Sequence, residues 1–475
     1  MKILFVSSEV TPFCKTGGLG DVAGSLPLAL KTQGDDVRVI LPLYEAVGVE
    51  WRRRMKKRCS IQINLSWRRQ LCSVFELEHN SVTYYFVDNE YYFKRRELYG
   101  HYDDGERFAF FSRTVLEVLP SIDFIPDVIH ANDWETALVP IYLRLSYSGD
   151  TRYENIKTVF TIHNIEYQGH FHRDFLADVA GIDDEHFRSG LLAYNDGICL
   201  MKGAIICADF ITTVSPSYAQ EIKTPYYGHG LDAILRDNEY KLRGVLNGID
   251  MDDNDPSNNT HLFRNYSVST LEDKAYNKTE LQTMLGLKAD TSVPVIAIVT
   301  RLTEHKGIDL IGAIFDDLMG EAVNVVVLGK GDWRYEQMFE QMKRKYPGKV
   351  SVNILFSSDL ATKIYAGADI MLMPSKSEPC GLAQMIAMRY GTVPVVRETG
   401  GLRDTVFPYR EDTDEGNGFT FKNYNAHDML YTIRRAIAMY NDGDLWRKLM
   451  VRGMTGDYSW GRSAGYYLDI YKSLK

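Results

Sequence analysis

The stretch from Lys2 to Gly34 restricts the fold of this chain more than any other feature of its sequence. Residues 3–8 form an apolar run that ends in small residues and predicts a central parallel β-strand, and residues 22–33 have the pattern of a helix. Between them lies a turn with Lys15 and three glycines, Gly17, Gly18 and Gly20. Such a turn leaves backbone N–H groups uncovered, and the following helix directs its positive dipole end toward them. We therefore predict an anion-binding pocket with a lysine at its mouth, against the alternative of a turn needed only for tight packing.

Strand and helix patterns alternate along the rest of the chain and define two halves. The first half has further strand patterns at 37–41, 127–130, 157–163 and 210–214, with alternating, antiparallel-type strands between 60 and 88. The second half repeats the alternation with strand patterns at 295–300, 323–328, 370–373 and 393–396. We predict an α/β fold of two Rossmann-like, doubly wound domains facing an interdomain cleft.

The domain boundaries follow from turn-forming residues near position 250. We expect an N-terminal domain over 1–249 that carries the glycine-rich loop and the acceptor side. We expect a C-terminal domain over 250–458 for the donor, and a C-terminal helix over 459–475 that packs back on the first domain.

Composition and charge exclude several classes of function. The formal net charge is −9, which argues against nucleic acid as a partner because phosphate-backbone binding needs a basic surface. The six cysteines have no zinc-type spacing and predict reduced thiols in a cytoplasmic protein. No apolar run approaches membrane length, so we also predict no membrane partner.

Candidate ligand-binding residues stand where the predicted strands end, which is where doubly wound sheets bind ligands. In the second half they are Arg301, Lys306, Gly329, Glu378, Cys380, Gly381, Leu382, Gly400 and Gly401. In the first half they are Lys15, Asp133, His163 and Asn164. Arg301 and Lys306 suit a diphosphate, because arginine binds it bidentately and lysine acts as a point charge. Glu378 either caps the following helix or contacts sugar hydroxyls and a developing oxocarbenium charge.

Metal and dinucleotide sites are not supported by the spacing of the candidate residues. His163, His170 and His172 have no cysteine or carboxylate at zinc-type spacing, and Asp253-Asn254-Asp255 lies in a polar linker. The glycine turn reads Gly18-x-Gly20-x-x-x-Gly24, unlike the dinucleotide fingerprint. We predict no metal and no cofactor.

Several motifs together resemble the bacterial glycogen synthase and plant starch synthase family over the whole chain. They are residues 15–21 (KTGGLGD), 106–112 (ERFAFFS), 247–250 (NGID), 301–303 (RLT), 306–307 (KG), 378–382 (EPCGL), 399–402 (TGGL) and 457–460 (DYSW). The resemblance implies a GT-B fold, ADP-glucose as donor substrate, and transfer of α-glucose to the non-reducing end of an α-1,4-glucan such as glycogen, with retention of configuration.

The same resemblance implies roles for individual residues. It would place Lys15, Gly17, Gly18, Asp21, Asn247, Gly329 and Phe356 at the donor, and Arg301 with Lys306 on the diphosphate. It would place the N–H groups of Cys380, Gly381 and Leu382 on the distal phosphate, Glu378 against the transferred glucose, and His163 beside the reacting carbon. Asp133, Asn164, Gly400 and Gly401 would position the acceptor or sugar. Three places depart from the family pattern: Asn132 stands where a second histidine is common, Leu355-Phe356 replaces a usual glycine-tyrosine, and the linker over 252–259 is unlike the common form.

The sequence leaves the mechanism and two alternative functions open. Retaining hydrolases use two carboxylates about 5 Å apart, whereas only Glu378 is well placed here. We therefore expect the leaving phosphate to take the acceptor's proton, with a covalent glucosyl-Glu378 as the rival. The alternative functions are a retaining glucosyltransferase that uses UDP-glucose or another acceptor, and a non-catalytic sugar-nucleotide or glycan-binding protein.

Overall fold

The computed structural model describes all 475 residues, from Met1 to Lys475. The chain forms two compact units. Unit 1 consists of Met1–Gly248 and Trp460–Lys475, and unit 2 consists of Ile249–Ser459. The last residues of the chain therefore return to the unit in which the chain begins. No helix is both long enough and apolar enough to span a bilayer.

Unit 1 is built on a nine-stranded sheet with helices between its parallel strands. The strands of unit 1 are β1 (Lys2–Val6), β2 (Asp36–Pro42), β3 (Lys56–Leu65), β4 (Arg68–His79), β5 (Val82–Asp88), β6 (Val128–Asn132), β7 (Lys157–Ile162), β8 (His170–His172), β9 (Ala193–Tyr194), β10 (Gly197–Cys199), β11 (Phe210–Thr213) and β12 (Leu242–Gly244). Its helices up to residue 248 are α1 (Gly18–Thr32), α2 (Val49–Arg52), α3 (Glu90–Phe93), α4 (Asp104–Glu117), α5 (Leu138–Ser146), α6 (Glu185–Arg188), α7 (Leu200–Cys207), α8 (Pro216–Glu221) and α9 (Asp232–Asp237).

The strand order of unit 1 fixes where a ligand would bind. The order is β12-β11-β7-β6-β1-β2-β5-β4-β3, and every pair is parallel except β3–β4 and β4–β5. The predicted antiparallel strands between 60 and 88 are thus confirmed as β3, β4 and β5. The order reverses between β1 and β6, so the carboxyl ends of these two strands form the topological switch point at which such sheets bind ligands.

Unit 2 repeats this plan with a six-stranded parallel sheet in the order β15-β14-β13-β16-β17-β18. Its strands are β13 (Val295–Val299), β14 (Asn324–Leu328), β15 (Val350–Asn353), β16 (Ile370–Met373), β17 (Val393–Arg397) and β18 (Phe419–Phe421). Its helices are α10 (Lys274–Met284), α11 (Ile308–Met319), α12 (Trp333–Lys345), α13 (Ser358–Gly367), α14 (Ala383–Arg389), α15 (Gly400–Thr405), α16 (Ala426–Tyr440) and α17 (Gly443–Met454). The switch point of unit 2 lies between β13 and β16. The prediction of two doubly wound Rossmann-like domains is confirmed.

The last helix, α18 (Trp460–Ser473), packs in unit 1. Tyr467, Ile470 and Tyr471 are buried, as helical spacing predicts, whereas Tyr466 is exposed. The Tyr471 hydroxyl hydrogen-bonds to Nδ1 of His130 at 2.7 Å, and the Ser463 hydroxyl donates to the carbonyl of Leu246 at 2.5 Å. These contacts attach the end of the chain to the sheet of unit 1.

Two helix boundaries predicted from sequence are wrong. Helix α1 begins at Gly18 rather than at residue 22, so the glycines belong to its first turn. The sequence also predicts that the helix after Glu378 begins at Gly381, whereas it begins at Ala383, because Gly381 has a φ of 71°, outside the helical region. Strands β15 and β18 and helices α13, α16 and α17 were not predicted. The two strands have only four and three residues, which is too short for a clear sequence signal, whereas α16 and α17 have 15 and 12 residues and length does not explain why they were missed.

Candidate functional site

The glycine-rich turn of unit 1 follows β1 and is closed by two acidic side chains. The Glu9 carboxylate accepts hydrogen bonds from the N–H and the hydroxyl of Thr16, the latter at 2.9 Å. The Lys15 ammonium forms an ion pair with Asp21 at 2.8 Å, and both side chains are open to solvent. The structure therefore brings Lys15, Gly17, Gly18 and Asp21 into one turn, with Lys15 already paired rather than free.

The glycines of this turn fall into two kinds. A Cβ atom on Gly20 would lie 2.5 Å from Cβ of Lys15, and one on Gly24 would lie 2.6 Å from the carbonyl oxygen of Thr11. These two glycines are required by packing. A Cβ on Gly18 would meet nothing within 4 Å, and one on Gly17 would come only within 3.8 Å of Glu9. Packing thus explains Gly20 but leaves Gly17 and Gly18 unexplained, which agrees with an open ligand-binding surface at the start of α1.

Asp133 stands at the carboxyl end of β6 and holds the loop after β7. Its backbone has a φ of 55°, an uncommon and strained conformation for a residue with a side chain. Its Oδ1 accepts a hydrogen bond from the N–H of His163 at 2.7 Å. Burial raises the pKa of Asp133 to about 7, against hydrogen bonds from the N–H groups of His163 and Asn164, which lower it. Asp133 therefore positions the loop that carries two other predicted site residues.

Two further buried acids accompany Asp133, and the sequence analysis missed both. Neither Glu9 nor Glu135 is among the site residues predicted from the sequence. Burial raises the pKa of both carboxyls, and the nearby Asp133 carboxylate adds to the effect at Glu135. Oε2 of Glu135 and the hydroxyl of Tyr44 are buried without a hydrogen-bond partner. The only sequence signal for Glu135 was its position three residues after the end of β6, directly after Trp134.

His163 is buried and neutral. Burial lowers its pKa to about 3. Its Nε2 hydrogen-bonds to Oδ1 of Asn132 at 2.9 Å, and this asparagine is fully buried. The neighbouring Asn164 uses its side-chain oxygen to accept from the N–H of Glu166 at 3.0 Å. The structure brings Asp133, His163 and Asn164 together at the switch point of unit 1.

The switch point of unit 2 carries an ion pair between two predicted site residues. The Lys306 ammonium, after β13, lies 2.6 Å from Oε2 of Glu378, after β16, and the Ser375 hydroxyl donates to the same oxygen at 2.9 Å. Burial alone would raise the pKa of Glu378, but Lys306, Ser375 and the charge of His305 hold it below its usual value. Glu378 is therefore an ionised, buried carboxylate. The alternative that it caps a helix is wrong, since α14 starts five residues later, at Ala383, without a side-chain cap.

The backbone from Glu378 to Leu382 forms a loop held by two glycines after β17. A Cβ on Gly400 would lie 2.0 Å from the carbonyl oxygen of Glu378, and one on Gly401 would lie 2.0 Å from that of Cys380. The N–H of Gly401 donates to the Glu378 carbonyl at 3.1 Å. The N–H groups of Gly381 and Leu382 donate no hydrogen bond to the protein. Gly400 and Gly401 thus support the loop, and the loop presents unpaired N–H groups.

The remaining predicted residues lie at other strand ends. The guanidinium of Arg301 is exposed and forms no ion pair or hydrogen bond, so its charge is available. Gly329 follows β14, where a Cβ would lie 1.9 Å from the carbonyl oxygen of Thr300, so close packing explains this glycine. Phe356 follows β15 and is 85% exposed. Asn247, in unit 1, is buried with Oδ1 unpaired.

Acidic, histidine and cysteine side chains are the groups of this chain that could bind a metal ion. No group of three or more of them is arranged to hold a metal ion. The absence of a metal and of a cofactor stays a prediction.

Both units match families of known proteins. Residues 2–237 match the family described as the starch synthase catalytic domain, and residues 286–448 match glycosyl transferases group 1. A glycogen synthase of Geobacillus thermodenitrificans is 54% identical over 474 residues, covering 100% of this chain and 98% of the relative. A glycogen synthase of Clostridium novyi is 53% identical over 475 residues, covering 100% of this chain and 99% of the relative.

Solved structures give the same result for the fold. The catalytic domain of starch synthase IV from Arabidopsis thaliana, bound to ADP and acarbose, superposes with a TM-score of 0.92 at 32% identity, covering 100% of this chain and 99% of that one. Sucrose-phosphate synthase from Thermosynechococcus elongatus, at 17% identity and a TM-score of 0.62 over 99% of this chain and 98% of that one, shares the fold alone.

These comparisons, together with the two doubly wound units, identify a retaining glycosyltransferase of the GT-B class. Within that class, the chain belongs to the glycogen synthase and starch synthase family.

Proposed function

We propose that the protein is a glycogen synthase that transfers α-glucose from ADP-glucose to the non-reducing end of an α-1,4-glucan, with retention of configuration. The observation that carries the proposal is the ion pair of Lys306 and Glu378, at 2.6 Å, at the switch point of unit 2. The chain that contains it covers 98% of a glycogen synthase to which it is 54% identical. The relative from Arabidopsis thaliana binds ADP and acarbose, a nucleotide diphosphate and an oligosaccharide. We also propose that ADP-glucose serves as a substrate and that the reaction uses no separate cofactor.

The donor's diphosphate fits the charges of unit 2. Arg301 has no ion-pair partner, and Lys306 presents a second cation a few residues away. The unpaired N–H groups of Gly381 and Leu382 would donate to the distal phosphate. Phe356, which is exposed, offers an aromatic face on which the nucleotide base would stack.

Each switch point, taken by itself, carries hydrogen-bond acceptors that suit sugar hydroxyls. Carboxylates accept hydrogen bonds from hydroxyl groups without adding a competing donor. We assign Asp133 and Asn164 to positioning the sugar, His163 to contact with the transferred glucose, and Lys15, Gly17, Gly18, Asp21 and Asn247 to the donor. Gly400 and Gly401 act indirectly, because they support the loop that begins at Glu378.

The proposed reaction does not use a second carboxylate. The acceptor's 4-hydroxyl oxygen bonds to C1 of glucose while the bond from C1 to the distal phosphate oxygen breaks. The electron pair of the broken bond leaves with ADP, and the hydroxyl proton passes to a phosphate oxygen. The groups on Oε2 of Glu378 are the Lys306 ammonium at 2.6 Å and the Ser375 hydroxyl at 2.9 Å, unlike the paired carboxylates of retaining hydrolases. Arg301 and Lys306 would stabilise the charge that develops on the leaving diphosphate.

The test is nucleotide release from ADP-glucose and from UDP-glucose, each with and without glycogen. We expect ADP release that requires glycogen. Release of UDP in preference to ADP would reassign the donor, and release without dependence on glycogen would reassign the acceptor. Trapping of a glucosyl group on Glu378, detected by mass spectrometry, would replace the proposed mechanism by the covalent one.

A further inference from the structure

Asn132 is the position in unit 1 where the sequence departs from the usual family pattern, and its side chain has only one possible orientation. Its Nδ2 donates to the carbonyl oxygen of Val6 at 2.9 Å and lies 3.3 Å from that of His130. A carbonyl oxygen cannot donate, so the amide oxygen must be on the opposite side. Oδ1 is thereby directed at Nε2 of His163, 2.9 Å away.

This orientation fixes the protonation state of the His163 ring. An amide oxygen only accepts, so Nε2 of His163 must carry the hydrogen. The ring is buried and its neutral form dominates, which leaves the other nitrogen, Nδ1, without a hydrogen. Nδ1 makes no hydrogen bond to the protein and is not among the buried unpaired atoms, so it is accessible. The Asp133 carboxylate meanwhile holds the His163 backbone at 2.7 Å.

We propose that Asn132 is a positioning residue that holds His163 in the Nε2–H form, so that Nδ1 is kept as a hydrogen-bond acceptor for a hydroxyl of the transferred glucose. The inference rests on the proposed function for its consequence in catalysis, but the hydrogen-bond geometry that carries it is independent of activity. His163 then acts by accepting a hydrogen bond and not by donating a proton. Val6, His130 and Asn132 belong to β1 and β6, so the sheet itself sets this state.

The other titratable groups around His163 come from three elements. His130 lies on β6, Asp133 follows that strand with Glu9 nearby, and the Tyr218 hydroxyl from α8 accepts from the N–H of Ile165 at 3.2 Å. Burial lowers the pKa of His130 to about 3, so it stays neutral. Burial raises the pKa of Asp133 to about 7, so the pH profile of a variant has to be compared with that of the wild-type protein.

Two measurements test the proposal. The first is 15N NMR of the ring nitrogens in the wild-type protein labelled at histidine, with the His163 signal assigned by its loss in His163→Asn. We expect a protonated Nε2 and an unprotonated Nδ1 from about pH 6 to about pH 8. An Nδ1–H form would overturn the proposal even if the enzyme makes glycogen, and the expected form would support it even if the donor or acceptor were reassigned.

The second measurement is kcat at saturating ADP-glucose and glycogen for variants of Asn132. Asn132→Ala should lower kcat by roughly 10- to 100-fold, since a displaced contact at the reacting group has an effect of that order. Asn132→His should restore most of it, because a ring nitrogen can accept the same N–H. Equal losses in both variants, or an Asn132→Ala variant within about twofold of wild type, would contradict the proposal. The matched control is Thr161→Val, which removes an equally buried hydrogen bond to His130 at 2.5 Å and should leave kcat within about threefold.

Asn132→Asp adds a pH-dependent readout that a purely structural role would not give. The new carboxyl faces the carbonyls of Val6 and His130 and needs a proton to donate to them. Relative to wild type, its activity should be retained near about pH 5.5 and lost toward about pH 8.5. A profile parallel to that of wild type would contradict the proposal.

Discussion

The switch points of the two units share one topology and differ in chemistry. In unit 1, the ends of β1 and β6 carry three buried acids, Glu9, Asp133 and Glu135, whose pKa values are raised mainly by burial. In unit 2, the ends of β13 and β16 carry Lys306 and Glu378, and the lysine holds the pKa of the carboxylate below its usual value. The same strand order therefore supports an acceptor-rich site in one unit and a cationic site in the other.

This difference shows what the fold contributes and what the side chains contribute. The parallel sheet brings distant loops to one edge, and it does so in the same way in both units. The ligand preference depends on which side chains stand there: carboxyl oxygens suit sugar hydroxyls, and ammonium and guanidinium groups suit phosphates. Removal of charge at one switch point should therefore impair the binding of one part of the substrate and spare the other.

The largest effect is expected from Lys306→Ala. Loss of a cation on the leaving diphosphate should lower kcat by on the order of 100-fold. The Glu378 carboxylate would also remain buried without its partner, which should lower the free energy of unfolding by about 3 kcal/mol. Steady-state kinetics and denaturant unfolding measure the two effects.

The double variant Lys306→Ala/Glu378→Gln separates these effects. It removes the unpaired charge, so stability should recover toward wild type while kcat stays at least as low as in the single variant. Recovery of activity together with stability would mean that Lys306 acts only by neutralising Glu378.

The glycines of the first turn sharpen the distinction between packing and ligand binding in unit 1. Gly20→Ala should lower the free energy of unfolding by about 1–3 kcal/mol, because its Cβ would meet Lys15 at 2.5 Å. Gly18→Ala should leave stability within about 1 kcal/mol of wild type and raise KM for ADP-glucose instead. Thermal unfolding and donor titration of both variants check this, and a stability loss in Gly18→Ala alone would contradict it.

Phe356→Ala tests whether unit 2 binds the nucleotide base. The side chain is 85% exposed, so stability should change by less than about 0.5 kcal/mol. Loss of base stacking should weaken ADP binding by about tenfold, at the low end of the range for one stacked base. Calorimetric titration with ADP measures this, with the similarly exposed Tyr431→Ala as the control that should bind ADP normally.

The pH dependence of stability should have opposite signs in the two units. The raised pKa of Asp133, about 7 against 3.8 unfolded, means that the native state holds an extra proton between these values. Stability therefore falls as the pH rises from about 4 to about 7, by about 1.4 kcal/mol per pH unit for one proton. The lowered pKa of Glu378 has the reverse effect: its contribution is present above its unfolded value of 4.5 and is lost as the pH falls below it.

Two neutral variants check these signs. Asp133→Asn should flatten the loss of stability toward neutral pH, and Glu378→Gln should flatten the loss toward acid pH. Hydrogen exchange resolved by unit, followed between about pH 4 and about pH 7, reports each unit separately. Equal slopes in both units would contradict the comparison.

Much of the fold could be predicted from sequence because buried parallel strands are continuous apolar runs. The strands at 3–8, 157–163 and 370–373 were predicted within a few residues. The start of α1 was not, since glycine has a low helix propensity and only the close approach of Gly20 to Lys15 explains its place in a helix. The Lys306–Glu378 contact could not be predicted from spacing, because 72 residues separate the pair and only the adjacency of β13 and β16 joins them.

The orientation of side chains could not be predicted from the sequence. Asn132 could be recognised as a departure from the family pattern, but its contact with His163 depends on which way the amide points. Glu135 resembles a solvent-facing helix residue in the sequence, whereas the structure buries it beside Asp133. Both cases need the packing of several elements at once.

The most direct test of the central claim is ADP binding to Arg301→Ala compared with Asp133→Asn. Arg301 has no ion-pair partner, so its removal leaves no unpaired charge in the protein. If Arg301 binds the diphosphate and Asp133 positions only the sugar, the Kd for ADP should rise at least about tenfold in Arg301→Ala and stay within about twofold of wild type in Asp133→Asn. Normal ADP binding by Arg301→Ala, with weakened binding by Asp133→Asn, would contradict the account.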